Sequence, residues 1–154
     1  MQKILISLFT ILLLSTGCSC KKDAPILLCP SGFSNLDFEE INLTIITNDS
    51  EKEYVINDDS TYQAVFQPSI DYDSTFVLPF INFSQSTILG KYAVGVCRDE
   101  NFIRKTCVNH KQKEYIYIVR IKSGETCFKP FFSMNWVIVP KIPNDYTIKF
   151  DIKT

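Results

Sequence analysis

A single histidine, His110, stands three residues after Cys107, and it is the one side-chain type whose unperturbed titration falls near neutrality. A cysteine nucleophile needs such a base in reach and a third group to orient it. A structural zinc ion needs four ligands in a tetrahedron. Cys107-x-x-His110 supplies half of either arrangement, and it lies in a polar run, Val108-Asn109-His110-Lys111-Gln112-Lys113, that reads as a surface turn. Carboxylates are paired at Glu39-Glu40, Asp58-Asp59 and Asp71-x-Asp73. The last pair is too short for an EF-hand, whose oxygen ligands spread over about twelve residues. Acids adjacent in turns ordinarily stay solvated and cap nearby amides. No Gly-rich phosphate loop, HExxH or GxSxG occurs. On these grounds no catalytic residue, metal ligand or cofactor is assigned. Phe128, Phe131 and Phe132 flank Pro130, with Trp136 just beyond. Either Lys129-Pro130 turns the chain so that the rings plug one end of a core, or the rings form an exposed patch for a protein or glycan partner. Aromatics are enriched at interfaces and carry much of the binding energy there.

The chain opens as an export signal. Lys3 gives a short positive region, and residues 4–14 are apolar except for Ser7 and Thr10. As a helix that run would reach about 16 Å, roughly half of a 30 Å hydrocarbon core, so it has the length of a signal-peptide core rather than a span. Leu14-Ser15-Thr16-Gly17-Cys18 follows. This stretch resembles the bacterial lipobox, in which a small residue precedes a cysteine that receives diacylglycerol and becomes the new N-terminus. Ser15 stands where the lipobox usually has an aliphatic residue. Leu14 comes one step too early. The relaxed form, with the leader Ser19-Cys20-Lys21-Lys22-Asp23, is similar to that of Bacteroidetes-type lipoproteins. The resemblance implies acyl chains such as palmitate on Cys18. It also implies a lipid anchor in the bacterial cell envelope, on the periplasmic or surface face of the outer membrane.

Removal of residues 1–17 leaves 137 residues, one domain by size. Residues 18–35, carrying Pro25, Pro30 and Gly32, read as a lipidated tether whose Ile26-Leu27-Leu28 can touch the body, and residues 36–154 as a single α+β domain. Without Lys3 the sixteen Lys and Arg become fifteen, against seventeen Asp and Glu. Positive residues are scattered singly or in pairs among acids, which excludes a nucleic-acid footprint. Exported chains use cysteine for disulfides. With Cys18 lipidated and Cys20 left over in the leader, Cys29, Cys97, Cys107 and Cys127 allow two bridges in three pairings. Cys97–Cys127 or Cys97–Cys107 is the expected member.

Phe, Tyr, Ile and Val dominate the apolar composition, and such residues favour strands. Strands are expected at residues 42–47, closed by Asn48-Asp49-Ser50, and at 53–56 as the return of a hairpin. Asn57-Asp58-Asp59-Ser60 offers caps for a short helix over 60–67, ended by Pro68. The competing reading is a strand, since Thr61, Tyr62, Val65 and Phe66 are also β formers. Residues 76–83, broken by Pro79, read as a loop or edge segment. Residues 87–97 read as a central strand, with Gly90 and Gly95 marking a bulge or close packing. Residues 102–108 are a further strand. Residues 114–122 alternate Tyr115, Tyr117, Val119 and Ile121 against Ile116, Ile118, Arg120 and Lys122, a strand partly covered on both faces. Residues 135–140 are expected to pair with the half-buried 146–152. The sum is a mainly antiparallel sheet, or a partly closed barrel, with one short helix.

Ser60-Thr61-Tyr62-Gln63-Ala64-Val65-Phe66, then Leu78-Pro79-Phe80-Ile81-Asn82-Phe83-Ser84, then Thr87-Ile88-Leu89-Gly90 resemble, in that order, the C-terminal domain of the protease-complex subunit PrcB family. The likeness covers residues 58–95. Asn82 stands where that family's turn usually has Asp, and the cysteines at 97, 107 and 127 are not part of its pattern. The run Met134-Asn135-Trp136-Val137-Ile138-Val139-Pro140-Lys141-Ile142-Pro143 is similar to the ends of a set of Bacteroidetes lipoproteins. These resemblances imply a small α+β domain that binds other proteins at the cell surface, and no catalytic residue. The expected function is a non-enzymatic binding or accessory module held to the membrane by its lipid. A structural envelope component and a hydrolase whose site is not visible in sequence are the alternatives.

Overall fold

The structure, a computed structural model, describes residues 27–43, 52–73, 75–96, 102–122 and 130–154. Alternation along the strands builds it. In β6 (Glu114–Ile121), Tyr115, Tyr117 and Val119 enter one core, while Ile118 and Ile116 enter another on the opposite face. Strand β5 (Phe102–Asn109) does the same, with Phe102 and Val108 turned one way and Cys107 and Ile103 the other. These two strands lie between β1 (Ser34–Leu36) and β8 (Thr147–Lys153) in the first sheet, ordered β1-β5-β6-β8. The second sheet is ordered β2-β7-β4-β3, from Glu39–Ile41, Pro130–Pro140, Ser86–Val96 and Glu53–Ile56. Every pair is antiparallel except β6–β8, which is parallel.

The sheets face each other across a core of Leu89, Ala93, Val137 and Val139 against Phe102, Tyr115, Tyr117 and Val119. The outer face of the second sheet carries Tyr54, Ile56, Ile88 and Trp136, and α1 (Asp59–Tyr72) lays Tyr62 and Phe66 on them. The outer face of the first sheet is covered by Leu27, Cys29 and Phe33. Four layers result: N-terminal segment, sheet, sheet, helix.

Several expectations are corrected. The sheets do not close into a barrel. Strand β8 pairs with β6 and not with β7, because residues 141–146 cross from one sheet to the other, with Ile142 buried between them. The helix runs through Pro68 to Tyr72. Pro68 lacks the amide that would bond the carbonyl of Ala64, but both residues are exposed, so water can serve that carbonyl. Of the strand expected at 42–47, only residues 42 and 43 are described, and they lie outside any strand; just before them β2 at Glu39–Ile41 pairs with β7, while β3 pairs with β4. Residues 44–50 lie outside the described residues. The packed body begins within the stretch 18–35 expected as tether, since Leu27 is buried and Cys29 is bonded to Cys107. That bond, across 78 residues of sequence with Cα atoms 5.7 Å apart, replaces the expected Cys97–Cys107 pairing. Cys18, Cys20, Cys97 and Cys127 lie outside the described residues.

Candidate functional site

Helix α1 is positioned from its N-cap, Asp58. Asp58 has extended backbone angles, and its carboxylate accepts from the Thr61 amide at 2.8 Å, the Ser60 hydroxyl at 2.7 Å and the Thr61 hydroxyl at 2.8 Å. The Thr61 amide bond, with the two hydroxyls, lowers the Asp58 pKa to about 2. This is an N-cap that satisfies an otherwise orphaned helix amide. At the far end Asp73 accepts from the Thr75 hydroxyl at 2.7 Å and the Thr75 amide at 2.9 Å, and these bonds hold its carboxyl below the usual range. The chain turns there and comes back along the helix.

Residues 76–83 form that return. Phe76, Leu78, Ile81 and Phe83 pack against the helix-side core, while Val77, Pro79 and Phe80 point outward. A second side-chain turn closes the segment, as Asn82 accepts from the Ser84 hydroxyl at 2.7 Å and the Ser84 amide at 3.1 Å. Tyr62 ties helix to return segment by donating to the Pro79 carbonyl at 3.3 Å and meeting Phe83 edge-on at 5.4 Å. Between them is a cleft of about 540 Å³, lined by Asp59, Tyr62 and Gln63 on the helix and by residues 78–83. Burial, with Asp59 adding to it, pushes the Tyr62 phenol up to about 12, so it stays neutral as a hydrogen-bond donor.

Of the apolar side chains lining this cleft, Phe80 stands bare at 92% exposed. Outside the lining, Val77 earlier on the return segment is 82% exposed and Tyr72 at the end of α1 is 84% exposed. One carboxylate, one neutral phenol, two side-chain amides (Gln63 and Asn82) and the bare ring of Phe80 give binding chemistry: apolar contact with a few directional hydrogen bonds.

The aromatic segment expected as a patch is divided by the pleat. Trp136 is 1% exposed, enclosed by Tyr54 and Phe66 at centroid distances of 5.2 Å each, so it belongs to the core and not to a surface. Phe131 turns between the sheets beside Phe102. Phe132, its neighbour on β7, emerges on the outer face of the second sheet beside Tyr92 and is 58% exposed. Phe128 lies outside the described residues. Val94 stands opposite Phe132 in register and is also exposed, so a smaller apolar strip continues the outer face beyond the helix.

The other sites weighed from sequence come apart. Cys107 is in a disulfide, so it offers no thiolate to His110 or to a metal. His110 is exposed, with Nδ1 3.0 Å from the Tyr146 hydroxyl. Asp71 accepts from Gln67 one helical turn back at 2.8 Å. Glu40 is paired with Arg104 at 2.9 Å, beside a smaller cleft of about 250 Å³. Among the described residues, no three of His, Cys, Asp and Glu gather as a metal site would require. Tyr72, Val77 and Phe80 are not singled out by the sequence. The signal for Val77 and Phe80 is an apolar run, outside any strand, between the turn residues Asp73 and Asn82, and Tyr72 ends the helix just before it.

The class that fold and site define is an α+β two-sheet protein with an apolar helix-and-loop face. No family model matches the chain, and neither a curated protein nor a solved structure matches it.

Proposed function

We propose that this protein is a lipid-anchored, non-enzymatic binding module of the bacterial envelope, docking a protein partner on the face formed by α1 and residues 76–83. The observation that carries the reading is the bareness of Phe80 at the 540 Å³ cleft, with Val77 on the same return segment and Tyr72 at the end of α1 also bare. Large apolar groups left in water at one place mark interaction surfaces. The anchor supports the same reading. Cys18 lies nine residues before Leu27, and nine extended residues reach about 30 Å at most. The chain enters the body on the outer face of the first sheet, at Leu27 and Cys29. The helix layer lies on the far side of both sheets, so a body tethered by its first layer offers its fourth to a partner. The likeness of residues 58–95 to the PrcB family falls on the same helix, return segment and β4. Among the described residues no helix is long and apolar enough to cross a membrane, and the anchoring assigned here is the lipid's.

The test is native electrophoresis of gently solubilised membranes holding either the wild-type chain or Val77→Asp, Phe80→Asp. Both positions are exposed, so the variant folds. The wild type migrates in a complex larger than itself, and the variant loses that complex while staying membrane-bound. Equal migration of the two would contradict the assignment of this face.

A further inference from the structure

Strand β8 ends the first sheet, and among the described residues no strand lies beyond it. The outer strands β1 and β2 have three residues each and β3 four, whereas β8 has seven. A long bare edge is a template for another strand unless something disposes of it.

The direction of its free groups follows from one bond. The Thr147 amide donates to the Lys113 carbonyl at 2.8 Å, so Thr147 points its main chain at β6. Main-chain groups alternate along a strand, so Lys149, Asp151 and Lys153 do likewise. Ile148, Phe150 and Ile152 then aim their amides and carbonyls outward. The side chains alternate too: Ile148 and Phe150 pack on the inter-sheet core, and Ile152, next on that face, is 39% exposed.

We propose that this edge pairs with the same edge of a second copy, antiparallel and centred on Phe150, to make one continuous eight-stranded sheet. A two-fold axis through the pair keeps the inner faces together, as an isologous dimer requires. Residues with outward main-chain groups must meet each other, which leaves three central registers. Centring on Lys149 sets Lys149 against its own copy. Centring on Asp151 sets Asp151 against its own copy and Lys149 against Lys153. Centring on Phe150 sets Lys149 against Asp151 twice, in the non-hydrogen-bonded positions where side chains stand closest. Like charges directly opposite each other destabilise a sheet and opposite charges stabilise it. Within one chain Lys149 also pairs with Glu114 at 3.0 Å and Asp151 with Lys153 at 3.5 Å. The Phe150-centred register is the one of the three that opposes no like charges, and the slips beside it are rejected. That register supplies about six main-chain hydrogen bonds, and it covers Ile152 with Ile148 of the partner copy.

The test compares the full chain, purified in detergent, with Lys149→Asp and Asp151→Lys, by sedimentation equilibrium over a concentration series. The wild type is a dimer. Each single variant opposes like charges at both positions and dimerises at least about tenfold more weakly. A mixture of the two variants restores the dimer. The aspartate introduced in one chain then meets the lysine introduced in the other, and the retained Asp151 of the first meets the retained Lys149 of the second. This recovery separates lost pairing from misfolding, and from two lipidated chains sharing one micelle. A monomeric wild type, single variants that dimerise as well as it does, or a mixture that stays monomeric would each overturn the proposal.

Discussion

Trp136 fills the space where a side chain on Gly90 would stand. The two residues face each other across β4 and β7, and a Cβ on Gly90 would lie 2.2 Å from Cζ3 and 2.4 Å from Cε3 of the indole. The indole can then lie close over the sheet under Phe66 and Tyr54, and this seats the helix that carries the candidate site. Gly90→Ala therefore destabilises the fold by about 2–3 kcal/mol through overpacking, read as a lower urea midpoint. The same substitution costs clearly less in a Trp136→Leu background, because the clashing ring is gone. An equal cost in both backgrounds would show that the two residues are not coupled.

The disulfide between Cys29 and Cys107 fastens the N-terminal segment to the first sheet across 78 residues of chain. Closing a loop of that length contributes about 2–4 kcal/mol. Cys29→Ser, Cys107→Ser lowers Tm accordingly and makes the chain near Leu27 cleavable by protease under conditions where the wild type resists. Val96, the last residue of β4, pairs with Pro130, the first of β7, and in sequence Cys97 comes one residue after the former and Cys127 three residues before the latter. Non-reducing peptide mapping should find Cys97 joined to Cys127 as the second bridge and Cys20 unpaired. A free thiol at Cys97 would contradict that assignment.

How far the sequence spoke depends on which residues carried the signal. The faces of β6 were legible because Tyr115, Tyr117 and Val119 alternate with Ile116, Ile118 and Arg120, and a strand's period of two needs no partner to be read. The helix start was legible from Asp58, and Gly90 and Gly95 from their place inside an apolar strand: a Cβ on Gly95 would stand 2.9 Å from Phe102. Partners were not legible. Residues 146–152 alternate equally well beside β7 or beside β6, and the bond from the Thr147 amide to Lys113 that decides between them joins distant parts of the chain. The bare apolar face was hidden for a similar reason. Phe80 and Phe83 are the same residue type three positions apart, and only the helix they flank makes one of them core and the other surface.

Alkaline pH should loosen the helix layer. Burial raises the Tyr62 phenol to about 12 from an ordinary value of 10.0, so the folded state holds that proton more tightly than the unfolded chain does. The resulting stability is fully present below pH 10 and is lost as pH rises towards 12. Tyr62→Phe gives up the hydrogen bond to Pro79 and with it this sensitivity. Between about pH 9 and about pH 11 its unfolding free energy falls less steeply than the wild type's. Tyr115 and Tyr117 are shifted the same way by burial, so the slope shrinks without vanishing. Parallel slopes would mean that Tyr62 ionises as an exposed phenol does.

The proposed anchor predicts its own mass signature. The intact chain extracted from membranes should lack residues 1–17 and carry added acyl mass on Cys18, and Cys18→Ser should leave the membrane or fail to mature. Full-length chain in the membrane, or an unmodified soluble form beginning elsewhere, would remove the lipid from this account.

Docking through the helix-and-return face is the central claim, and site-specific photo-crosslinking on intact membranes tests it most directly. A photoreactive residue replaces Phe80 in one full-length variant and Gln112 in another. Both positions are exposed, and Gln112 lies in the polar β5–β6 turn, where its amide donates to Asn109. The account predicts a discrete heavier protein adduct from position 80 and none from position 112. No adduct at 80, or the same adducts from both positions, would contradict it.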